Sequence, residues 1–460
     1  MTDLHESSSG LESSLADFER RIERALPQES AFAMRGRVLE VLGSLIKVSG
    51  ITPGIGELCE LRDRGGDVLG TAEVVGFSGP YSYLSGLGPL RALSTSVEVR
   101  PLGHRQTVPV GRALLGRVVD GFGRPIDGLG PIDADQHRPV DEDPPDALRR
   151  GGVDRIFETG IRAIDGLLTC GVGQRVGIFA PAGVGKSTLL LEIARRASAD
   201  VKVIALVGER GRELGEFVRD GFSAEERART IFVGATSDRA AMERIRAAQV
   251  ATTIAEHFRD QGLQVLLLMD SLTRLARAQR EVGLAVGEPP TRRGYPPSVF
   301  AMLPRLLERA GPGERGAITA FYTILTEGED DDDPIAEEIR AILDGHFVLS
   351  RALASAGHFP AIDVLASASR VASRVLTPGH QESVLAARRY LAQHAELKLL
   401  LQIGEYRPGS DPESDRAIAF EAAARTFLRQ RPGESPMRFD ATYASLRALL
   451  NQAGNPQRPG

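Results

Sequence analysis

The sequence predicts an α/β protein in which a parallel-sheet core follows a small β-barrel and precedes a C-terminal helical domain. Three observations support this prediction. Short β-rich runs broken by glycine fill 35–100, strands and helices alternate from Gly160 onwards, and the chain becomes rich in alanine, leucine and arginine after Val375. A chain of 460 residues is also too long for one hydrophobic core, so several domains are expected.

The chain begins with a predicted amphipathic helix within 1–30. Its apolar side chains recur at helical spacing, three arginines fall on the other faces, and Pro27 ends it. The apolar stripe consists of Leu11, Leu15, Phe18, Ile22 and Leu26. Because one short helix cannot fold alone, this element is expected to dock on the body of the protein, on a partner or on a membrane surface.

The remaining domains are predicted from changes in periodicity. The barrel is expected at 31–102, the α/β core at 103–374 and the helical domain at 375–460. Within the core, Ser237 is expected to cap a helix over 238–259, because serine accepts hydrogen bonds from the first free N–H groups of a helix.

Composition narrows the class of protein. The chain has 56 basic and 61 acidic side chains, a net charge of −5, so no general basic surface points to nucleic acid. Cys59 and Cys170 lack a CxxC partner, which favours buried reduced thiols. A polar, acidic N-terminus argues against a signal peptide, and the central apolar run at 265–269 is too short to span a bilayer. We therefore expect a cytoplasmic protein.

The strongest motif is Ala-Pro-Ala-Gly-Val-Gly-Lys-Ser at 180–187, a P-loop between a predicted strand and a predicted helix. Gly183 and Gly185 allow backbone N–H groups to close around phosphate oxygens, and the helix N-terminus adds the positive end of its dipole. Lys186 is expected to reach the β- and γ-phosphates, and Ser187 to offer its hydroxyl to Mg²⁺. The predicted nucleotide-binding residues are Ala180, Pro181, Ala182, Gly183, Val184, Gly185, Lys186, Ser187 and Thr188.

Two carboxylates each follow an apolar strand. Asp270 closes the predicted strand at 263–269, where it would hold Mg²⁺ through water; the alternative is a helix N-cap. Glu209 follows the predicted strand at 201–207, where it could polarise the attacking water near the γ-phosphate. The alternative for Glu209 is an ordinary solvated carboxylate at a strand end.

A longer pattern points to a family. Pro-Ala-Ile-Asp at 360–363, followed by Ser-Ala-Ser-Arg at 367–370, resembles the signature of rotary ATP synthase α and β subunits and their relatives. The resemblance extends over about 35–429 and includes the P-loop and Gly-Glu-Arg at 208–210. It implies a RecA-like ATPase core that binds ATP and Mg²⁺.

Within that superfamily, several stretches look like the ATPases that energise type III protein secretion. They lie at 162–171, 173–180, 208–213, 287–290 and 294–300. Gly-Glu-Leu-Cys-Glu-Leu at 56–61 looks closer to the injectisome branch than to the flagellar branch. The resemblance therefore implies a homohexameric motor that releases chaperones from secreted substrates and unfolds them.

The resemblance also implies roles for particular residues. Glu209 matches the water-activating glutamate, and Arg370 matches the arginine finger that crosses a subunit boundary to stabilise charge in the transition state. Phe359 falls where many relatives carry an adenine-stacking tyrosine, and phenylalanine keeps the ring face. Arg274 is either a further contact to the γ-phosphate or one half of a structural ion pair.

The partners implied by the resemblance are stalk and regulator proteins, chaperone–effector complexes and the export gate. Contact with the gate would hold the cytoplasmic ring peripherally at the inner membrane. The acidic run at 327–333 is expected to be a solvated loop; the resemblance places it toward the central channel, where it could meet a basic stalk protein. His346 is expected to be packed or exposed rather than a metal ligand.

Three alternatives remain open. A flagellar export ATPase has the same chemistry with other clients. The catalytic subunit of an ion-driven synthase pairs with a noncatalytic homologue, whereas this chain carries both the P-loop groups and the finger. A hexameric RNA translocase needs aromatic and basic platforms. This barrel lacks tryptophan, and Phe77, Tyr81 and Tyr83 are expected to cluster in one loop away from lysine and arginine, so no nucleic-acid partner is expected.

Overall fold

The computed structural model describes residues 34–454 except 44, 89–92 and 327–332. The helix predicted within 1–30 and most of the acidic run therefore lie outside the described residues. The chain divides into two compact units, Met1–Arg105 and Gln106–Gly460.

A closed antiparallel barrel forms the first unit, in the strand order β1-β2-β5-β4-β3-β6, which confirms the predicted barrel. Alternate side chains point inward, and Val38, Val48, Leu61, Val74 and Leu84 form a core with at most 1% exposure. The strands are β1 (Gly36–Leu42), β2 (Leu45–Ser49), β3 (Glu57–Arg62), β4 (Val68–Ser78), β5 (Tyr81–Gly86) and β6 (Glu98–Arg105).

The barrel aromatics differ from the prediction. Phe77 lies in β4, and Tyr81 and Tyr83 lie in β5, because the two strands extend to a short turn and pair as a hairpin. The ammonium group of Lys47, on the neighbouring strand β2, lies 4.5 Å from the centre of the Tyr81 ring. The expectation of one aromatic loop without a nearby lysine was therefore wrong.

A large sheet forms the centre of the second unit, in the order β19-β18-β12-β17-β15-β13-β14-β8. The strands of this path are β8 (Val118–Val119), β12 (Arg175–Ala180), β13 (Val201–Val207), β14 (Thr230–Ala235), β15 (Gln264–Asp270), β17 (Ala317–Leu325), β18 (Gly345–Leu349) and β19 (Ile362–Ser369). Smaller strands are β7 (Thr107–Val110), β9 (Gln136–Pro139), β10 (Ile156–Phe157), β11 (Cys170–Gly171) and β16 (Gly311–Pro312).

The pairings along this path are parallel except at one edge. β19 runs antiparallel to β18, because the chain turns back where β18 ends and pairs Leu349 with Ile362. Strand–helix alternation predicted a parallel sheet and did not predict this reversal. Because of this reversal, β19 begins near the carboxyl ends of the parallel strands and ends near their amino ends.

Helices cover the sheet and form the C-terminal region. They are α1 (Arg162–Leu167), α2 (Lys186–Arg196), α3 (Gly211–Asp220), α4 (Ala224–Arg227), α5 (Ala241–Asp260), α6 (Leu272–Ala285), α7 (Pro297–Leu307), α8 (Pro334–Ile342), α9 (Arg351–Ser355), α10 (Ala372–Val375), α11 (Pro378–Gln402), α12 (Pro412–Leu428) and α13 (Phe439–Gly454). Two 3₁₀ turns lie at Arg112–Leu114 and Arg292–Gly294. The rings of Tyr390 and Phe420 pack 5.6 Å apart between α11 and α12, in a core continuous with that of the sheet.

Two helix caps test the sequence analysis. Ser237 does not cap α5, which begins at Ala241, so that prediction was wrong. The N–H of Ser237 instead donates to the carbonyl of Glu209 at 2.9 Å, which holds the chain in a turn ahead of the helix. Asp333, the one described residue of the acidic run, caps α8 by accepting from the N–H of Ile335 at 2.9 Å.

The two cysteines and His346 lie in packed surroundings. Cys59 and Cys170 are free thiols in the interior, as predicted. His346 packs edge-on against the Phe179 ring with 6.2 Å between centroids. Across the described ranges, no helix is long and apolar enough to cross a bilayer.

Candidate active site

The P-loop lies at the carboxyl edge of the sheet, between β12 and α2. Ala180 ends β12, and Gly183 and Gly185 adopt φ values of 80° and 88°, in the left-handed region that favours glycine. Gly185 precedes the first residue of α2, Lys186. Ala182, Gly183, Ser187 and Thr188 are exposed, whereas Val184 is buried and anchors the loop. The exposed face of the loop therefore presents backbone N–H groups and two hydroxyls toward solvent.

Three charged side chains from different elements meet beneath this loop. The ammonium group of Lys186 contacts Oδ1 of Asp270 at the end of β15, and Oε1 of Glu209 lies 3.6 Å from the same nitrogen. Each of the three residues is at most 9% exposed. The hydroxyl of Thr323, on β17, donates to Oδ1 of Asp270 at 2.6 Å. Two carboxylates and one ammonium group thus share a buried site.

The alternative prediction for Asp270, a helix N-cap, was wrong. Ser271 occupies the N-cap position of α6, where its hydroxyl accepts from the N–H of Arg274 at 3.4 Å. The carboxylate of Asp270 therefore remains directed at Lys186 and Thr323.

Glu209 is held by Arg274. A guanidinium nitrogen of Arg274 lies 3.1 Å from Oε2 of Glu209, and another nitrogen of Arg274 donates to the carbonyl of Gly208. The pKa of Glu209 is raised to about 7, mainly by burial and also by the nearby charge of Asp270, while Lys186 and Arg274 oppose the shift. Arg274 thus forms the ion pair that sequence reasoning gave as one of its two roles.

An apolar pocket adjoins the other side of the loop. Phe359 lies beside Gly185, where an added Cβ would come within 3.3 Å of the phenyl ring. The pocket is lined by Ile161, Gly185, Thr188, Leu189, Glu192, Phe359, Pro360, Gln430 and Pro432. Sequence reasoning missed Gln430, whose N–H donates to the carbonyl of Phe359 at 2.8 Å and whose side chain donates to the carbonyl of Gly160 at 2.9 Å.

A second cavity of about 380 Å³ opens from the charged site along α3. Ser187, Glu209 and Asp270 line its inner end. Its outer lining includes Arg212, Glu213, Glu216 and Asp220 of α3 and the apolar side chains of Leu191, Leu206 and Phe217. The hydroxyl of Ser187 and the carboxylate of Asp270 therefore face one space, with oxygen ligands of the kind that Mg²⁺ prefers.

Arg370 lies away from this site. Its N–H donates to the carbonyl of Asp344 at 2.9 Å, and the N–H of Asp344 donates to the carbonyl of Arg175, the first residue of β12. The P-loop follows Ala180, the last residue of β12. With a rise of about 3.3 Å per residue, Arg370 is separated from the P-loop of its own chain by roughly 16 Å or more. Its exposed guanidinium donates to the carbonyl of Arg340 at 3.2 Å.

The fold and the site define a P-loop ATPase, and comparisons with known proteins specify its family. The ATP synthase alpha/beta family, nucleotide-binding domain, matches residues 160–369, and the T3SS EscN ATPase C-terminal domain matches 376–448. The type 3 secretion system ATPase of Xanthomonas euvesicatoria is 52% identical over 435 residues, which cover 95% of this chain and 98% of the relative. This chain belongs to the type 3 secretion system ATPases of the ATP synthase alpha/beta family, which confirms the resemblance.

Relatives from both flagellar and type III secretion systems are similar to this chain. The flagellum-specific ATP synthase of Treponema pallidum is 48% identical over 94% of this chain and 97% of the relative. The assembled ATPase EscN of the enteropathogenic E. coli type III secretion system superposes with a TM-score of 0.86 at 44% identity, covering 90% of this chain and 100% of EscN. A second EscN structure, solved in complex with its central stalk EscO, gives a TM-score of 0.83.

Proposed function

We propose that this ATPase hydrolyses ATP with Mg²⁺ at the carboxyl edge of its sheet and that the reaction drives protein export through a type III secretion apparatus. The observation that supports this most directly is the convergence of Lys186, Glu209 and Asp270 beneath the P-loop. Lys186 would supply positive charge to the β- and γ-phosphates, because it is the buried cation nearest the loop.

The residues present fit a Mg²⁺ ion. Ser187 and Asp270 line the same cavity, and Thr323 fixes the orientation of the Asp270 carboxylate through a 2.6 Å hydrogen bond. Ser187 and Asp270 would hold the ion, and its positive charge would offset the negative charge of the phosphates. Lys186 would supply a further positive charge to the nucleotide.

Glu209 has the properties of a general base. Its Oε1 is buried and accepts no hydrogen bond from the described residues, so it can accept one from a water molecule. A pKa of about 7 is suited to taking a proton near neutral pH. We assign Arg274 a positioning role, because its ion pair fixes the other oxygen of Glu209.

Phe359 would receive the adenine ring. Its side chain is 41% exposed although it is large and apolar, and it borders the pocket beside Gly185. An aromatic face against a nucleobase stabilises binding by stacking. Gln430 holds the backbone at Phe359 and lines the pocket together with Pro432, so residues beyond α12 contribute to it directly.

Arg370 would act on the nucleotide of a neighbouring subunit. Within its own chain it lies at the amino edge of the sheet, and an exposed guanidinium at that edge is available to another copy. A cation that approaches the γ-phosphate stabilises the charge that develops in the transition state. We therefore propose a homohexameric ring in which each site is completed by the next subunit.

The remaining partners follow from the family. EscN was solved with a central stalk protein, and we propose an equivalent stalk and a regulator for this chain. We also propose that the ring lies in the cytoplasm at the inner-membrane export gate. There it would release chaperones from secreted substrates and unfold them. The acidic run at 327–333 would face the stalk.

A flagellar export ATPase is the second candidate, because flagellum-specific relatives are also similar. Deleting the gene in its source cell and measuring both effector secretion and swimming separates the two functions. We expect secretion to stop and swimming to continue, and a plasmid copy to restore secretion. A copy carrying Lys186→Ala should fail to restore it. Loss of swimming with normal effector secretion would support the flagellar alternative.

A further inference from the structure

The outer wall of the barrel carries an arginine-rich cleft that the nucleotide site does not use. The cleft has a volume of about 930 Å³. It is lined by Arg35, Gly36, Arg37, Arg62, Asp63, Arg64, Gly65, Gly66, Thr95, Ser96, Glu98 and Arg100. We call it the arginine cleft.

Strand register explains why these charges share one face. β6 lies between β1 and β3, and Glu98 of β6 is opposite both Arg37 of β1 and Arg62 of β3. The next positions along β1 and β6, Val38 and Val99, are buried in the barrel core. Since side chains alternate between the two faces of a sheet, the charged residues of this row point outward together.

The carboxylates of the cleft are already engaged. Glu98 pairs with Arg35 at 3.2 Å, and Asp63 accepts hydrogen bonds from the N–H groups of Gly65 and Asp67 at 2.8 and 2.9 Å.

Two arginines of the cleft remain without such partners. Arg37 and Arg64 are exposed, and neither side chain forms an ion pair or hydrogen bond with the described residues. Arg62, by contrast, pairs with Glu60 beside the cleft. The cleft therefore has an excess of positive charge, concentrated on side chains that can reach a partner.

An exposed apolar side chain lies next to the cleft in sequence. Leu39 follows Arg37 by two residues on β1 and is 42% exposed. A surface with free arginines beside an exposed leucine fits an amphipathic helix that carries both carboxylates and an apolar stripe. A purely polar segment would leave the aliphatic side chain uncovered, and a purely apolar segment would leave the arginines without a counter-charge.

We propose that the arginine cleft docks the acidic amphipathic segment 1–26 of the same chain. The five carboxylates that precede the first arginine of this segment are Asp3, Glu6, Glu12, Asp17 and Glu19. The predicted helix adds an apolar stripe, and the exposed side chain of Leu39 would contact it. Arg35, which lines the cleft, follows the segment by only nine residues, so the tether keeps the segment at high local concentration.

Docking would store the segment on the barrel until a competing partner releases it. Each contact is a solvent-exposed ion pair, individually weak and screened by salt. Because the segment is attached to the barrel, its high local concentration offsets the weakness of each contact. A partner that binds the apolar stripe more tightly would displace the segment from the cleft. The barrel would thereby regulate access to the segment.

Cross-linking in the full-length chain tests this proposal. Ser14→Cys and Thr95→Cys place one thiol on the segment and one on the cleft, and the native cysteines are buried. With a short bismaleimide reagent we expect an intrachain cross-link. Its rate should fall about tenfold in 1 M salt, where the Debye length is about 3 Å. It should fall about as far when Arg37→Glu and Arg64→Glu are combined, since attraction becomes repulsion.

Two further variants control the experiment. Arg416→Glu, an exposed position on α12, should leave the cross-linking rate unchanged. Glu12→Arg with Glu19→Arg should restore the rate in the charge-reversed cleft. No intrachain cross-link, a rate unaffected by reversing Arg37 and Arg64, or cross-links only between two chains would each overturn the proposal.

Discussion

Phe359 and Arg370 flank the same strand, β19, and therefore lie on opposite sides of the central sheet, one near the carboxyl ends of its parallel strands and the other near their amino ends. The ring of Phe359 borders Gly185 of the P-loop, whereas the N–H of Arg370 is bound to Asp344 at the edge where β12 begins. One strand thus connects the proposed adenine pocket of a subunit to the cation proposed to act on its neighbour.

Phe359→Ala should weaken nucleotide binding. Loss of base stacking costs about 1–3 kcal/mol, so we expect the Kd to rise about 5- to 150-fold. Titration with a fluorescent adenine nucleotide measures this, and Phe359→Tyr, which keeps the ring face, is the matched control. Wild-type affinity in the alanine variant would exclude Phe359 from the nucleotide pocket.

Glu209→Gln should preserve nucleotide binding and remove most hydrolysis. The amide keeps the size of the side chain but is a far weaker acceptor for the proton of water. Steady-state turnover and nucleotide affinity, measured on the same preparation, separate the two effects. If both fell together, Glu209 would have a binding or folding role instead.

The raised pKa of Glu209 also predicts a pH dependence. Because the base must be ionised, kcat should fall as the pH drops below about 7, and this acid limb should be absent from the residual activity of Glu209→Gln. The folded chain protonates Glu209 more readily than the unfolded chain does, so the contribution of this group to the free energy of unfolding decreases between about pH 4.5 and 7. A melting temperature of wild type that declines relative to Glu209→Gln over that interval would check the sign; an unchanged difference would contradict the raised pKa.

A buried ion pair outside the active site predicts a large stability effect. Arg309 and Glu256 are 3% and 1% exposed, and Arg309 also donates to the carbonyl of Val140 at 2.7 Å and to the hydroxyl of Thr253 at 2.8 Å. Glu256→Gln leaves a buried guanidinium without its counter-charge, so the free energy of unfolding should fall by about 3–5 kcal/mol.

Denaturant titration followed by circular dichroism measures this change. The control is Glu225→Gln, which removes the exposed pair with Arg229 and should cost at most about 1 kcal/mol. Equal effects of the two substitutions would mean that the buried pair is not the stabilising contact.

The P-loop and the two carboxylates of the site could be predicted from the sequence, because each belongs to a short, continuous segment of the chain. The P-loop is a local strand–loop–helix unit, Asp270 is the last residue of β15, and Glu209 follows the end of β13 by two residues. Parallel strands that end at one edge of a sheet bring such residues together, so their convergence follows from periodicity and sheet type. The roles assigned to these residues remain proposals.

Other features depend on pairings between distant segments. Thr323 reaches Asp270 only because β17 pairs with β15, and Gln430 reaches Phe359 from beyond α12. Neither residue type has a pattern that marks it in the sequence. Ser237 failed as a cap because the helix begins only at Ala241. The N–H of Ser237 is bound to the carbonyl of Glu209 in the turn that precedes the helix, next to the paired strands β13 and β14.

The position of Arg370 predicts that catalysis requires more than one chain. Arg370→Ala should bind nucleotide normally and lose activity about a thousandfold or more, the contribution of an arginine finger. Lys186→Ala should also be inactive, because the P-loop then lacks its cation. Specific activity of the wild type should rise with protein concentration as rings assemble.

Mixing the two inactive variants shows whether the active site is completed within one chain or between two chains. In a mixed ring, some interfaces pair the intact P-loop of an Arg370→Ala subunit with the intact arginine of a Lys186→Ala subunit. Turnover should therefore reappear at a small fraction of the wild-type rate and depend on the mixing ratio, with a maximum near equal amounts. A double variant carrying both substitutions, added in place of either partner, should restore nothing. If specific activity were independent of concentration and no mixture regained turnover, Arg370 would serve the fold of its own subunit, and the separation of about 16 Å from its own P-loop would have no catalytic consequence.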